Sequence, residues 1–374
     1  MIPAPIKLQP NNEIWYTTSD GLIHEFDDTY IDANLVSNTY KDGLGIAVFD
    51  KDITKISSEY AISRGGGYIH SMIKRVPVNE YVYTCNLITI SLPDSLIEIE
   101  NFGLSYGSNW VQAAPNCSIK ELTLGPNVKF IGAYKQDNSI INGYGIDKIN
   151  FKGTLNDWVN IQFGEYYDED ECIYLFGFKQ LVINNIEIKD LNIPEGTTNI
   201  NNYSFFGCKN INSIIIPSSV TSIGASAFKS DLWIMKNNII NNSSLDAKAN
   251  NYWGAKVCDE ITEDGLYILD SIVIAADLDK INKNGSVIVP EGVTEIEYGM
   301  FMSSGLKNIT IPASVVRIGA DSFSWLSDFS ITYLGTKDQW SKVENYAQWT
   351  NESNDWYMTI HCIDGDVIQN TESA

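Results

Sequence analysis

The chain has 374 residues, of which 44% are hydrophobic, and its 47 acidic and 25 basic residues give a net charge of −22. This balance argues against nucleic-acid binding, because contacts with phosphates need a basic surface, and against attachment to an anionic membrane by charge. All apolar runs are shorter than the roughly eighteen residues of a transmembrane helix, so we expect no membrane insertion. The opening stretch MIPAPIKLQPNNEIWY lacks the apolar core of a secretory signal, which favours a cytosolic protein or one released when a virus lyses its host.

Residues 1–45 carry no repeat and are interpreted as a separate N-terminal module. The stretch NNEIWYTTSDGLIHEF predicts a β-hairpin whose turn lies at Ser19–Gly21. We interpret this region as a docking or oligomerisation module. Within it, Trp15, Tyr16 and Phe26 are the candidate docking residues.

After residue 45, one motif recurs along the chain. Its clearest copies are IPSSVTSIGASAF at Ile216–Phe228 and IPASVVRIGADSF at Ile311–Phe323. Further copies are LPDSLIEIENFGL from Leu92, IPEGTTNINNYSF from Ile193 and VPEGVTEIEYGMF from Val289. Neighbouring copies are separated by about two dozen residues or slightly less, a period that indicates a solenoid.

The residues of one repeat predict a short strand, a turn and an apolar plug. Ile214 and Ile216 share one face of the strand, because side chains alternate along a strand. Pro217 ends the strand because it lacks the N–H that pairing requires. Gly224 permits a sharp bend, and Phe228 fills the interior of the coil.

A single repeat cannot bury its own apolar side, so neighbouring repeats are expected to stack. Ile214 and its counterpart Ile309 are expected to form inner ladders. We divide the repeats into a first block at 46–165, a second block with an irregular insertion at 166–285, and a third block with a C-terminal tail at 286–374. The first and third blocks each contain a GTxxxW segment that we interpret as a cap over the last repeat. The fixed letters of the pattern are Gly153, Thr154 and Trp158 in the first block and Gly335, Thr336 and Trp340 in the third.

The pattern IPxSVTxIGxxAF resembles the BspA-like leucine-rich repeat of bacterial surface proteins. The GTxxxW segments resemble those that follow a run of such repeats in relatives. Residues 1–45 resemble an N-terminal module that precedes the repeats in proteins of gut bacteria and their phages. The resemblance implies a mainly β leucine-rich-repeat solenoid with short strands, irregular insertions and terminal capping segments, and it implies recognition or adhesion.

No arrangement of residues in the sequence indicates catalysis, a metal site or a cofactor. His24, His70 and His361 are far apart along the chain, and a solenoid keeps distant repeats apart. The acidic run Glu165–Glu171 lacks the ligand spacing and glycine of a calcium-binding loop, so we interpret it as a solvated turn. The cysteines have no CxxC spacing and are interpreted as reduced core thiols: Cys85, Cys117, Cys172, Cys208, Cys258 and Cys362.

Aromatic residues outside the repeat positions are the candidates for a binding surface. Exposed tryptophan and tyrosine side chains suit contacts with proteins and stacking on sugars, although packing under loops is the ordinary alternative. The candidates are Trp110, Trp233, Tyr252, Trp253, Trp349 and Trp356.

These observations predict a non-catalytic binding or structural protein. We favour a fibre or capsid-decorating protein of a phage, located in the virion, that contacts other virion proteins through residues 1–45 and a host surface protein or glycan through its repeats. The alternatives are a bacterial surface or cytosolic interaction module and, third, a glycan hydrolase built on a repeat scaffold. A homo-oligomer is expected, with a dimer favoured because two-fold dimers are the commonest closed assemblies.

Overall fold

The computed structural model describes residues 8–63, 66–74, 76–77, 82–84, 86–101, 103–104, 112–113, 119–133, 146–167, 173–326, 329–345 and 357–370. The chain forms two compact units, one of residues 1–234 with 238–256 and the other of residues 235–237 with 257–374. Short β-strands dominate both units. The α-helices of the described residues are short: α1 (Leu155–Val159), α2 (Leu278–Asn284) and α3 (Lys337–Trp340).

The strands are numbered in chain order. Up to residue 223 they are β1 (Glu13–Thr18), β2 (Leu35–Lys41), β3 (Leu44–Phe49), β4 (Lys55–Ile56), β5 (Ser58–Ser63), β6 (Gly66–Ser71), β7 (Val76–Pro77), β8 (Val82–Thr84), β9 (Leu87–Ser91), β10 (Glu98–Ile99), β11 (Gln112–Ala113), β12 (Glu121–Leu124), β13 (Phe130–Ile131), β14 (Ile146–Phe151), β15 (Gln162–Phe163), β16 (Glu165–Tyr167), β17 (Ile173–Leu175), β18 (Phe178–Ile183), β19 (Ile186–Glu187), β20 (Asp190–Asn192), β21 (Asn199–Ile200), β22 (Ser213–Ile216) and β23 (Ser222–Ile223). The remaining strands are β24 (Trp233–Met235), β25 (Ile239–Asn241), β26 (Lys256–Cys258), β27 (Glu260–Ile261), β28 (Leu266–Leu269), β29 (Ile272–Ala276), β30 (Ser286–Ile288), β31 (Glu295–Ile296), β32 (Asn308–Ile311), β33 (Arg317–Ile318), β34 (Ser330–Tyr333), β35 (Glu344–Asn345), β36 (Tyr357–Cys362) and β37 (Gly365–Asn370).

The main sheet of the first unit is a stack of parallel rungs with antiparallel strands at both ends. Its eight strands follow the order β19-β18-β14-β12-β9-β1-β3-β2. Strands β9, β12, β14 and β18 are mutually parallel, as the repeat predicts, whereas the N-terminal strands are antiparallel and lie at one end in the order β1-β3-β2. At the other end, β19 folds back against β18. The chain therefore covers both ends of its parallel stack with antiparallel strands.

Strands β1, β2 and β3 belong to this sheet, so the described residues before position 45 are not a separate module. Strand β1 pairs with β3 on one side and with the first parallel rung, β9, on the other. The predicted boundary at residue 45 consequently falls inside β3. The hairpin predicted with its turn at Ser19–Gly21 is also absent, because the antiparallel partners of β1 come from later segments. Period-two alternation identified β1 as a strand but carried no information about its partner.

The second unit contains the same kind of parallel stack. One sheet has five strands in the order β30-β32-β34-β36-β37, all parallel to their neighbours except β37. The other has six strands in the order β27-β28-β29-β31-β33-β35, and it begins with an antiparallel meander of β27, β28 and β29. Side chains from both sheets form one buried hydrophobic core. Residues 367–370, the first part of the predicted tail, belong to β37, which pairs with β36 over its whole length.

The repeat isoleucines form ladders inside each unit. Ile214 lies between Leu191 and Ile239 on neighbouring strands, and Ile309 lies between Val287 and Ile331. The two isoleucines thus belong to equivalent ladders of different units. The phenylalanine plugs stack as the repeat predicts: Phe205 on Phe228 at a ring-centroid distance of 5.6 Å, and Phe301 on Phe323 at 5.7 Å.

The GTxxxW segments form short helices within the stacks. Thr154 and Thr336 each cap the first turn of a helix, and a side chain three residues later bonds back to the capping residue. Trp158 lies on α1 and is fully buried, but the parallel ladder continues past it because β18 pairs with β14. In the second unit, β36 likewise pairs with β34 past α3. The prediction that these segments close the end of a stack is therefore wrong in both units. Each segment replaces an ordinary turn, and its tryptophan is buried.

The glycine after the repeat isoleucine lets two coils approach closely. A Cβ atom at Gly319 would lie 2.5 Å from the backbone nitrogen of Tyr298 in the preceding coil. We expect Gly319→Ala to lower the free energy of unfolding by about 1–3 kcal/mol, because a backbone neighbour cannot move aside without disturbing the ladder. Urea unfolding measures the loss. Val316→Ala, at a position that is 58% exposed, is the control and should change stability by less than about 0.5 kcal/mol.

Candidate binding surface

The main sheet of the first unit has one buried face and one open face. In β1, Ile14 and Tyr16 are buried, so Trp15 and Thr17 point to the opposite side. The same alternation holds in β9, β12 and β14 from Thr89, Glu121 and Lys148 onward, whereas in β18 Val182, opposite Asn150, is buried. The open face therefore presents two rows of side chains: Trp15, Ser91, Thr123 and Asn150 in one, and Thr17, Thr89, Glu121, Lys148 and Gln180 in the other.

Most side chains of this face are short and carry hydrogen-bonding groups. The hydroxyls of Thr17 and Thr89 lie 2.8 Å apart, and Lys148 forms an ion pair with Glu121. Trp15 is half-buried, and its indole N–H donates to the carboxylate of Glu13 at 2.6 Å. The ring is therefore fixed on the face beside a row of hydroxyls and an amide. Such a surface offers an aromatic platform together with directional polar contacts.

The five-stranded sheet of the second unit has a comparable open face. Buried Val287, Ile309, Ile331 and Ile360 mark its inner side. On the open side, one row contains Ser286, Asn308 and Ser330, and the next contains Ile288, Thr310, Thr332 and His361. The Ser330 hydroxyl donates to the side-chain oxygen of Asn308 at 2.7 Å. His361 Nδ1 lies 2.9 Å from the carboxylate of Asp366.

The structure corrects several of the aromatic candidates. Tyr252 and Trp253 are only 9% and 6% exposed, and the indole of Trp253 packs edge-on against Phe228 at 6.2 Å. They extend the phenylalanine stack and do not form a surface. Trp233 is half-buried. Trp110, Trp349 and Trp356 lie outside the described residues.

Two of the three candidate docking residues also lie in the core. Tyr16 is 1% exposed, and its hydroxyl donates to Asn38 at 2.6 Å. Phe26 is 2% exposed and packs edge-on against Tyr16 at 5.3 Å. Their aromatic character reflects burial beneath the N-terminal antiparallel strands. Trp15 alone of the three contributes to the open face.

An exposed tryptophan, Trp325, is missing from the sequence-based candidates. Its side chain is 52% exposed, and its backbone is left-handed with φ of 62°. Gly207 and Ser303 occupy the same position, two residues after the plug phenylalanine, and also have positive φ. A bulky residue in this conformation is an outlier. The signal was present in the sequence, since a tryptophan stands where sister repeats carry glycine or serine.

Two further exposed side chains lie on the coil next to Trp325. The N–H of Ser303 donates to the carbonyl of Ser324 at 3.0 Å, which places Trp325 beside the preceding coil. On that coil, Met302 is 40% exposed and Tyr298 is 64% exposed. The three side chains are thus exposed on two neighbouring coils of the second unit.

The described thiols are not poised for nucleophilic chemistry. Burial raises the pKa of Cys208 to about 12, and burial also raises the pKa of Cys258. Both cysteines and Cys362 are free thiols. No group of three or more His, Cys, Asp or Glu side chains that could hold a metal ion occurs among the described residues. The tip of the acidic run, 168–171, lies outside them, and Glu165 accepts a hydrogen bond from the Tyr203 hydroxyl at 2.6 Å.

Membrane insertion through a helix was also not expected from the sequence. Within the described ranges, no helix is both long enough and apolar enough to span a bilayer.

Comparisons with known proteins concern the repeats. A family model described as "BspA type Leucine rich repeat region" matches residues 178–258 and 269–354 in six copies. No curated protein matches the chain. A leucine rich cell surface protein from Faecalibacterium prausnitzii A2-165 is similar at 13% identity and a TM-score of 0.22, over 77% of this chain and 96% of that one. A leucine-rich repeat protein from Eubacterium ventriosum ATCC 27560 is similar at 15% identity and a TM-score of 0.20, over 74% of this chain and 73% of that one.

Proposed function

We propose that this chain is a non-catalytic binding protein that holds a partner on the open faces of its sheets. Its residues 178–258 and 269–354 match the BspA-type leucine-rich repeat. The family match covers the repeats that begin at Ile193, Ile216, Val289 and Ile311. Repeat proteins of this kind present extended surfaces rather than deep reaction pockets. The proposed partner is a protein or glycan on a cell surface.

The open face of the five-stranded sheet is the observation that carries this proposal. Its parallel strands hold Thr310, Thr332 and His361 level with one another and away from the core. A partner laid across the strands would meet hydroxyls at the spacing of about 4.8 Å that separates neighbouring strands. Hydroxyls both donate and accept hydrogen bonds, so such a face suits polar partners, including the hydroxyl groups of sugars.

Display on a bacterial surface is the location we favour, because the repeat type is named for bacterial surface proteins. The virion location stays a prediction. Mass spectrometry of purified phage particles and of washed host cells separates the two locations. Recovery of the chain in particles and not on cells would replace the bacterial location with the viral one.

The binding role is tested with labelled protein on a panel of intact bacterial cells and purified surface glycans. Thr310→Glu combined with Thr332→Glu should weaken binding by at least about tenfold, because two carboxylates then replace the central hydroxyls; tenfold corresponds to about 1.4 kcal/mol. The matched control is Leu278→Glu combined with Val316→Glu, which adds the same charge at exposed positions outside the face. Equal binding by the two double variants, or no binding by the unaltered chain, would overturn the proposal.

A further inference from the structure

Strand β37 leaves one edge of the five-stranded sheet open. All its residues pair with β36 on one side, from Gly365 opposite Cys362 to Asn370 opposite Tyr357. It stands last in the sheet order, so the described residues provide no strand for its other side. Backbone groups along such an edge can form hydrogen bonds with another strand.

This edge carries only one of the features by which proteins usually block strand addition, the charge of Asp366. The sequence GDVIQN contains no proline, lysine or arginine, and its pairing with β36 has no bulge. Other sheet edges differ. Strand β2 has an irregular register between Leu35 and Ser37, and β19, the counterpart of β37 in the first unit, has only two residues.

The hairpin geometry fixes which backbone groups face outward. Cys362 and Gly365 flank a two-residue loop, and a pair in that position exchanges both of its hydrogen bonds. Hydrogen-bonded and non-hydrogen-bonded pairs then alternate along the hairpin, so the backbone of Val367 forms hydrogen bonds with that of Ile360 in β36. Asp366, Ile368 and Asn370 consequently direct their N–H and C=O groups to the open edge.

We propose that two copies of this chain associate through β37, paired antiparallel about a two-fold axis at Ile368. This register makes Ile368 of each copy face its equivalent and sets the backbone of Asp366 opposite that of Asn370. The three outward-facing residues of one copy thereby bond to those of the other. The sheet of one copy continues into the sheet of its partner, independently of the binding function proposed above.

Side chains favour this register. Ile368 is 71% exposed on the open face, and the two-fold axis buries it against its equivalent. The carboxylate of Asp366 does not meet the partner's Asp366, and it already lies 2.9 Å from His361 of its own copy. The net charge of −22 on each copy opposes association, so the dimer should strengthen as salt screens this repulsion.

Sedimentation equilibrium over a range of protein concentrations tests the association. A single strand pair buries less than a standard interface of about 1,600 Å², so we expect a reversible, concentration-dependent dimer. Ile368→Lys should lower the association constant by at least about tenfold, since it places two like charges at the axis. The matched control is Ile363→Lys, which lies in the loop of the same hairpin and is 68% exposed; it should dimerise like the unaltered chain.

Cross-linking tests the register directly. Opposed residues of a hydrogen-bonded pair have Cα atoms about 5.5 Å apart, which is within the span of a disulfide. Under mild oxidation, Ile368→Cys should form a covalent dimer, whereas Ile363→Cys and the unaltered chain should not. Monomers at all concentrations, a dimer unaffected by Ile368→Lys, or equal cross-linking at both positions would overturn the proposal.

Discussion

Replacing Trp158 with alanine is expected to lower the free energy of unfolding of the first unit by about 3–5 kcal/mol. The side chain is fully buried, and its ring centroid lies 5.4 Å from those of Phe151 and Phe178 and 5.5 Å from that of Phe163. Its indole N–H donates to the carbonyl of Ser204 at 2.9 Å. Truncation therefore leaves a cavity among aromatic rings and an acceptor without its donor.

Two other tryptophans are the controls for this prediction. Trp340→Ala should destabilise the second unit comparably, because this residue is 3% exposed and packs edge-on against Tyr333 at 5.1 Å. Trp325→Ala, at a position that is 52% exposed, should have a much smaller effect. Urea unfolding by circular dichroism, with hydrogen exchange to assign the loss to a unit, measures all three. An unchanged midpoint for Trp158→Ala would contradict the packing of the GTxxxW helix.

Acidification is expected to destabilise the N-terminal antiparallel strands between pH 6.5 and 4. Burial lowers the pKa of His24 to about 4, although the hydrogen bond with Asn86 and the nearby Glu25 and Asp20 oppose this shift. His24 is 1% exposed, its Nδ1 lies 2.7 Å from the Asn86 side-chain oxygen, and its Nε2 has no hydrogen-bond partner. The imidazole is therefore neutral in the folded chain at neutral pH.

The direction of the pH effect follows from proton binding. Below the ordinary histidine pKa of about 6.5, the unfolded chain takes up a proton that the folded chain excludes until about pH 4. The stabilisation is complete above pH 6.5 and is lost as the pH falls to 4. The total loss is about 3 kcal/mol for a shift of this size.

A variant that does not titrate isolates this effect. His24→Gln retains hydrogen-bonding capacity towards Asn86 but binds no proton in this range. Urea unfolding at several pH values between 7.5 and 4 should give a pH slope smaller by up to about 1.4 kcal/mol per pH unit for the variant. An identical slope in both proteins would show that His24 does not carry the acid response.

The repeats were predictable because one residue pattern encodes both the strand and its neighbour. The position of Phe228 in its repeat predicts a plug, and the structure stacks it on Phe205. The same reasoning failed for Tyr252 and Trp253, which lie in an irregular insertion. There, the N–H of Phe228 donates to the carbonyl of Trp253 at 3.2 Å. The repeat pattern of the sequence does not predict this contact.

The open faces were only partly predictable. Alternation in β1 separates Trp15 from Tyr16, but the sequence does not state which of the two faces the core. That choice depends on β9, whose Ile90 lies opposite Tyr16 from more than seventy residues away. Trp325 was missed for a different reason, since it follows the repeat Ile311–Phe323 directly and the aromatic candidates were drawn from segments outside the repeats.

The antiparallel strands at the ends of the parallel stacks have a consequence for how such chains lengthen. Because β1, β2 and β3 begin one unit and β27, β28 and β29 begin the other, each stack opens with strands of its own. A gene duplication that copies an entire unit would therefore add a stack that already contains its own antiparallel starting strands. A duplication that copies isolated repeats must insert them between existing rungs, where both neighbours can accept the new coil.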